Sequence, residues 1–178
     1  MTSPNLTEMD PVATLKRIVD AASFRRRVFV WMQFESNATG DAIVIVALTS
    51  VVIAVAAGVD LSLNAILSLS INALVAWLII SGLTWAAARF IFDAHADYAP
   101  VLRVAGFAFP TLLVLIVTVR VFPNLFGLFV GFLWFIAVVA AGTQEVLDMK
   151  REHAWGAAGA GFAGWLVIQA ILGGGGFF

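Results

Sequence analysis

The sequence contains no cysteine. That absence excludes disulfides, thiol catalysis, Cys-based zinc sites and Cys-ligated iron–sulfur clusters, although it identifies no compartment. Charge is nearly as scarce. Asp, Glu, Lys and Arg make up 12% of the 178 residues, where a soluble domain carries roughly 25%. So few charges cannot clothe a water-facing surface. Disorder is excluded as well, because disordered chains are rich in charge and poor in apolar residues. The net charge of −1 selects no partner. The signatures G-x-x-x-x-G-K-S/T, H-E-x-x-H, G-x-S-x-G and G-x-G-x-x-G are all missing. No catalytic residue, cofactor or metal ligand is therefore assigned.

What is present is apolar: 62% of the chain is hydrophobic and the mean hydropathy is +1.00. The uncharged runs are Ala42–Val59 (18 residues), Leu61–Ala88 (28), Val104–Val119 (16), Val121–Gln144 (24) and Ala154–Phe178 (25). A helix needs roughly 20 apolar residues to cross a bilayer. The third run is long enough if Arg120 snorkels to the headgroups and the helix extends to Phe122. The expected fold is all-α, a polytopic membrane bundle of five transmembrane helices preceded by an amphipathic helix. A β-barrel is excluded, because its strands would alternate apolar and polar over about ten residues.

Residues 1–41 form an N-terminal segment and 42–178 the transmembrane domain. The segment carries five acidic and five basic residues before the first apolar run, unlike a signal peptide. Lys and Arg set the orientation. With the N-terminus inside, Lys16, Arg17, Arg25, Arg26, Arg27, Arg89, Arg103, Lys150 and Arg151 lie inside, and only Arg120 lies outside. The N-terminus is thus expected to be cytoplasmic and the C-terminus extracytoplasmic.

Asp10-Pro11 reads as a helix start, with Asp as N-cap and Pro in the first helical position. Val12, Leu15, Ile18, Val19 and Ala22 follow at helical spacing. This helix should lie on the membrane or pack on the spans. Arg25, Arg26 and Arg27, followed by Val28-Phe29-Val30-Trp31-Met32, suit the headgroup boundary of an anionic leaflet. Anionic lipid headgroups are the expected contact. So small a basic patch excludes nucleic acid.

Polar and small residues inside the spans point to helix packing. Asn64, Ser68 and Asn72 recur every four residues, and the cost of amides in hydrocarbon should turn that face into the bundle. Gly156, Ala160 and Gly164 repeat with the same period, as do Ala157 and Gly161, and Gly127 and Gly131 form a GxxxG pair. Pro110 should kink the third span. No span carries a charge near its centre, which disfavours ion-coupled transport. Asp93-Ala-His95-Ala-Asp97 reads as a solvated loop. Glu145, Asp148 and Glu152, beside His153, read as a hydrated helix face.

Asp10-Pro11, the Thr14-Leu15-Lys16-Arg17-Ile18 stretch and Leu102-Arg-Val-Ala-Gly106-Phe107-Ala-Phe-Pro110-Thr-Leu-Leu resemble the Yip1 family in its prokaryotic form. The last matches the family's leucine, glycine–aromatic, then proline element through Gly106, Phe107 and Pro110. The eukaryotic members carry a longer acidic-aromatic signature before their first span, which this sequence lacks. The resemblance implies a five-helix bundle with a cytoplasmic N-terminus. Eukaryotic relatives assist vesicle trafficking, bind small GTPases and shape membranes.

The reading is a non-enzymatic membrane scaffold or adaptor in membrane organisation or complex assembly. Its expected partners are the lipid bilayer and other membrane proteins or further copies of itself. The alternative is a small transporter or channel that uses the polar stripe of the second span.

Overall fold

A computed structural model of the chain describes residues 11–35, 37–59, 62–95, 97–122 and 125–172. The elements are α1 (Pro11–Ala22), α2 (Arg26–Phe34), α3 (Ala38–Ala56), α4 (Leu63–Phe90), α5 (Tyr98–Ala108), a 3-10 segment (Phe109–Leu113), α6 (Val114–Val121), α7 (Leu125–Val146) and α8 (Arg151–Ile171). No strand occurs among the described residues. Hydrocarbon offers backbone groups no partner, so an apolar chain satisfies them within helices. Five spans result: α3, α4, the α5–α6 unit, α7 and α8. The protein is an integral, multi-pass membrane protein.

Successive spans alternate in direction, so the turns before α5 and α8 lie on the side that carries α1 and α2, the proximal side. The α3–α4 and α6–α7 turns lie on the distal side. α1 is helical from Pro11, the first described residue; the proposed Asp10 cap lies outside the described residues. Phe24, Asp93 and Asp148, all in proximal turns, take left-handed backbone angles (φ 57, 53 and 46°). Ser62 caps α4, its hydroxyl accepting from the Ala65 N–H at 3.2 Å.

The third span differs from its apolar run. It does reach Val121, past Arg120, but it begins at Tyr98 and so takes in Arg103. Pro110 lacks an N–H and cannot continue the α-helical ladder. The chain there tightens into the 3-10 segment, and α5 and α6 become separate helices. The core runs from Phe29 and Met32 of α2 through Val101, Val104 and Phe107 of α5 to Phe135, Val138 and Val139 of α7. α4 and α8 form the most extensive helix pairing.

Candidate functional site

The residues around Gly106 join the N-terminal helices to the spans. A Cβ on Gly106 would lie 2.5 Å from the Ala42 Cβ and 3.2 Å from the Trp77 Nε1, so only glycine lets α5 approach α3 and α4 this closely. The Trp77 indole N–H donates to the Leu102 carbonyl at 2.8 Å. Phe107 is fully buried. Its ring meets Trp31 of α2 edge-on at 5.8 Å. The Arg17 guanidinium of α1 lies 4.0 Å from the Trp31 ring centroid and 3.8 Å from the Asp41 carboxylate of α3. Half-buried Pro110 lies in the 3-10 segment, where neighbouring Phe109 packs edge-on against Phe135 of α7 at 5.7 Å.

Two further devices fix α1 and α2. Buried Asp20 accepts from Arg27 Nη2 at 2.8 Å and Nε at 3.2 Å, and pairs with Arg25 at 3.3 Å. Arg26 reaches Glu145 of α7 at 2.6 Å. Each of the three arginines expected at lipid headgroups thus holds a carboxylate of this chain, while its side chain stays 57–80% exposed. Arg103 donates through Nε to the Thr39 hydroxyl at 2.9 Å. Through Nη1 it donates to the Met32 carbonyl at 2.9 Å and the Gln33 carbonyl at 3.4 Å. It therefore caps the C-terminal end of α2 and ties it to the start of α3.

The docking turns α1 in an informative way. Thr14, Asp20 and Ala21 are buried against the bundle, whereas Val12, Leu15 and Val19 are 75%, 62% and 56% exposed. The helix packs on the spans, and part of its apolar stripe faces outward.

The polar stripe of α4 does not enter the bundle as a unit. Asn64 and Ser68 are exposed, and Asn72 is half-buried. The expectation that this face turns inward fails for the first two because α4 outruns α8 at its distal end. Gly161 of α8 meets Thr84 and Ile80, so α8, ending at Ile171, comes level with α4 only near Asn72.

Asn72 lines an apolar cavity of about 170 Å³ enclosed by α3, α4, the 3-10 segment, α7 and α8. Phe109, Phe132, Phe135, Phe162 and Trp165 wall it. These rings form a continuous set, with Phe162 5.0 Å from Phe132 and 5.4 Å from Trp165.

Small residues mark close approaches. A Cβ at Gly127 would lie 2.5 Å from the Phe122 carbonyl oxygen, one at Gly156 2.6 Å from Phe92, and one at Gly164 2.7 Å from Leu83. Gly131 meets Leu115. Ala160 is exposed. Gly142, where α7 meets Val104 and Phe29, completes the set and has no partner in a GxxxG spacing to announce it.

On the proximal side, His95 and His153 line one cleft of about 500 Å³ with Asp93, Asp148 and Lys150. His153 stacks on Phe92 at 5.0 Å. Among the described residues, no group of three or more His, Asp or Glu side chains is placed to hold a metal.

A family model described as Yip1 domain matches residues 11–173. The chain belongs to the Yip1 domain family. No curated protein and no solved structure matches it significantly. In this Yip1 domain the family element touches four other parts of the fold: Gly106 meets α3 and α4, Phe107 meets α2, and the 3-10 segment meets α7. Three features escape sequence reasoning: the Arg103 staple, the aromatic cavity and the sharing of one cleft by the two histidines. Each joins residues distant in the chain. Only Arg103 leaves a trace, as a charge just before an apolar run too short to span unaided.

Proposed function

We propose that this Yip1 protein is a non-enzymatic membrane scaffold or adaptor that acts through contacts of its proximal face and its spans. The observation that carries the reading is the pose of α1. It is held through Arg17, Trp31 and Phe107 and through the Asp20 ion pairs, yet directs Val12, Leu15 and Val19 outward. An apolar stripe on a rigidly mounted helix suits docking of a partner helix or a neighbouring copy at the membrane surface. The charge count supports a cytoplasmic proximal face. Arg25, Arg26 and Arg27 keep exposed surface there and, with Asp20 and Glu145, form a group of net charge +1 (three positive, two negative), which suits an anionic leaflet.

Cross-linking in native membranes followed by mass spectrometry tests the reading. Links from α1 to other membrane proteins, or between copies, are expected, and Leu15→Glu with Val19→Glu should remove them. A chain that forms no links in its native membrane would overturn it.

A further inference from the structure

We infer that the aromatic cavity is a binding site for one acyl chain of a bilayer phospholipid, inserted from the distal leaflet. The cavity is long: its wall on α4 runs from Leu69 to Ile80, which at 1.5 Å per residue is about 16 Å. An elongated volume of about 170 Å³ suits a single hydrocarbon chain better than a compact molecule. Its lining is apolar save for Ser50 and Asn72, so water gains few partners inside.

The mouth fixes the occupant. The exposed wall residues are Ala57 and Val59, at the α3–α4 turn, where the apolar run of α3 ends. The medium at that position is the boundary between acyl chains and headgroups. The deep end, at Ile80, Phe135 and Phe162, lies near the middle of the spans. Towards the distal end, the cavity face of α4 continues through half-buried Ala65 and Ile66 to exposed Ser62, whereas Ser68 and Asn64 turn away from it towards Leu67 and Ile71. The sequence of environments along α4 is therefore apolar at depth, amide-lined at the neck and polar outside. A phospholipid has the same order of tail, ester and headgroup. Exposed Ser62 stands in the α3–α4 turn with Ala57 and Val59, where its hydroxyl can meet an ester or a headgroup.

The inference does not rest on any protein partner. Its test uses the full chain reconstituted in vesicles of phosphatidylethanolamine and phosphatidylglycerol. A trace of phosphatidylcholine carrying a diazirine near the end of one acyl chain is the probe. After irradiation, adducts are mapped by mass spectrometry. Adducts on Phe135 and Phe162, which lipid cannot reach from the outer surface of the bundle, are expected. Adducts confined to outward residues such as Leu67, Ile71 and Phe129 would overturn the proposal. Ala73→Leu narrows the cavity and Ala57→Phe obstructs its mouth, so labelling of the deep residues should fall roughly tenfold in each. Ala57 is exposed, so the second variant reports even if the first does not fold. Undiminished deep labelling in a folded variant would count against this entry route and overturn the assignment.

Discussion

Trp77 of α4 donates its indole N–H to the main-chain carbonyl of Leu102 on α5, 2.8 Å away. The indole is 2% exposed, so the bond places α4 against α5 at one height and satisfies a polar group that water does not reach. Trp77→Phe keeps most of the ring and removes only the donor. The expected loss is about 1 kcal/mol. Trp77→Ala also opens a cavity and should cost about 3–5 kcal/mol. Unfolding in mixed micelles measures both, and equal losses would show that the bond contributes nothing separable from the ring.

Gly106 and Ala42 form a second testable pair. Gly106→Ala drives a methyl group against the Ala42 Cβ and should destabilise the bundle by about 1–3 kcal/mol. Ala42→Gly removes the atom that is struck. In a double-mutant cycle the two changes should therefore couple favourably, by about 1 kcal/mol. Additive effects would mean that α5 shifts instead of clashing.

Asp20 holds two arginines, and Arg26, itself 80% exposed, holds one half-buried carboxylate. Asp20→Asn should loosen α1 from the spans and raise amide exchange across Pro11–Ala22. Arg26→Gln should leave that exchange unchanged, because an exposed pair contributes only about 0–1 kcal/mol. Equal exchange in the two variants would refute the assignment of Asp20 as the tether.

Arg103 should not be replaceable by lysine. Its Nε and Nη1 serve Thr39 and the Met32 carbonyl together, a fork that a single ammonium does not reproduce. Arg103→Lys should lower the unfolding free energy by about 1 kcal/mol or more. A lysine variant as stable as the parent would show that charge alone suffices.

Orientation can be read directly, because a chain without cysteine offers no background to thiol labelling. Ser23 and Asn64 are both exposed and lie at proximal and distal ends. In intact cells an impermeant maleimide should label Asn64→Cys and spare Ser23→Cys, with Ser23→Cys reacting only after permeabilisation. The reverse pattern would place the N-terminus outside.

The spans were legible because run length alone distinguishes a membrane helix from a loop. Their ends were not, and Arg103 shows why. A charge ends an apolar run on paper, but three hydrogen-bond acceptors on α2 and α3 let this one stay within a helix. The α4 stripe shows a second limit. Asn64, Ser68 and Asn72 recur every four residues, but a helix of 3.6 residues per turn rotates such a stripe, and where each residue faces depends also on the length of the neighbouring helices. The family element is different again. Gly106 and Pro110 act through their own backbones, one by allowing approach and one by breaking a helical ladder, so both effects could be anticipated from the residues themselves. The aromatic cavity could not, because its rings come from three separate elements.

The excess length of α4 has a mechanical consequence. Its 28 residues span about 42 Å, against a hydrocarbon core of about 30 Å. The exposed turns at its distal end carry Leu63 and Leu67 outward beside Asn64 and Ser68. Such a helix must tilt, protrude or gather a thicker patch of lipid around itself, and each response varies with the membrane it meets. Solvent access to position 64 should therefore fall as the acyl chains of the surrounding vesicles are lengthened. α4 would make the protein a gauge of bilayer thickness.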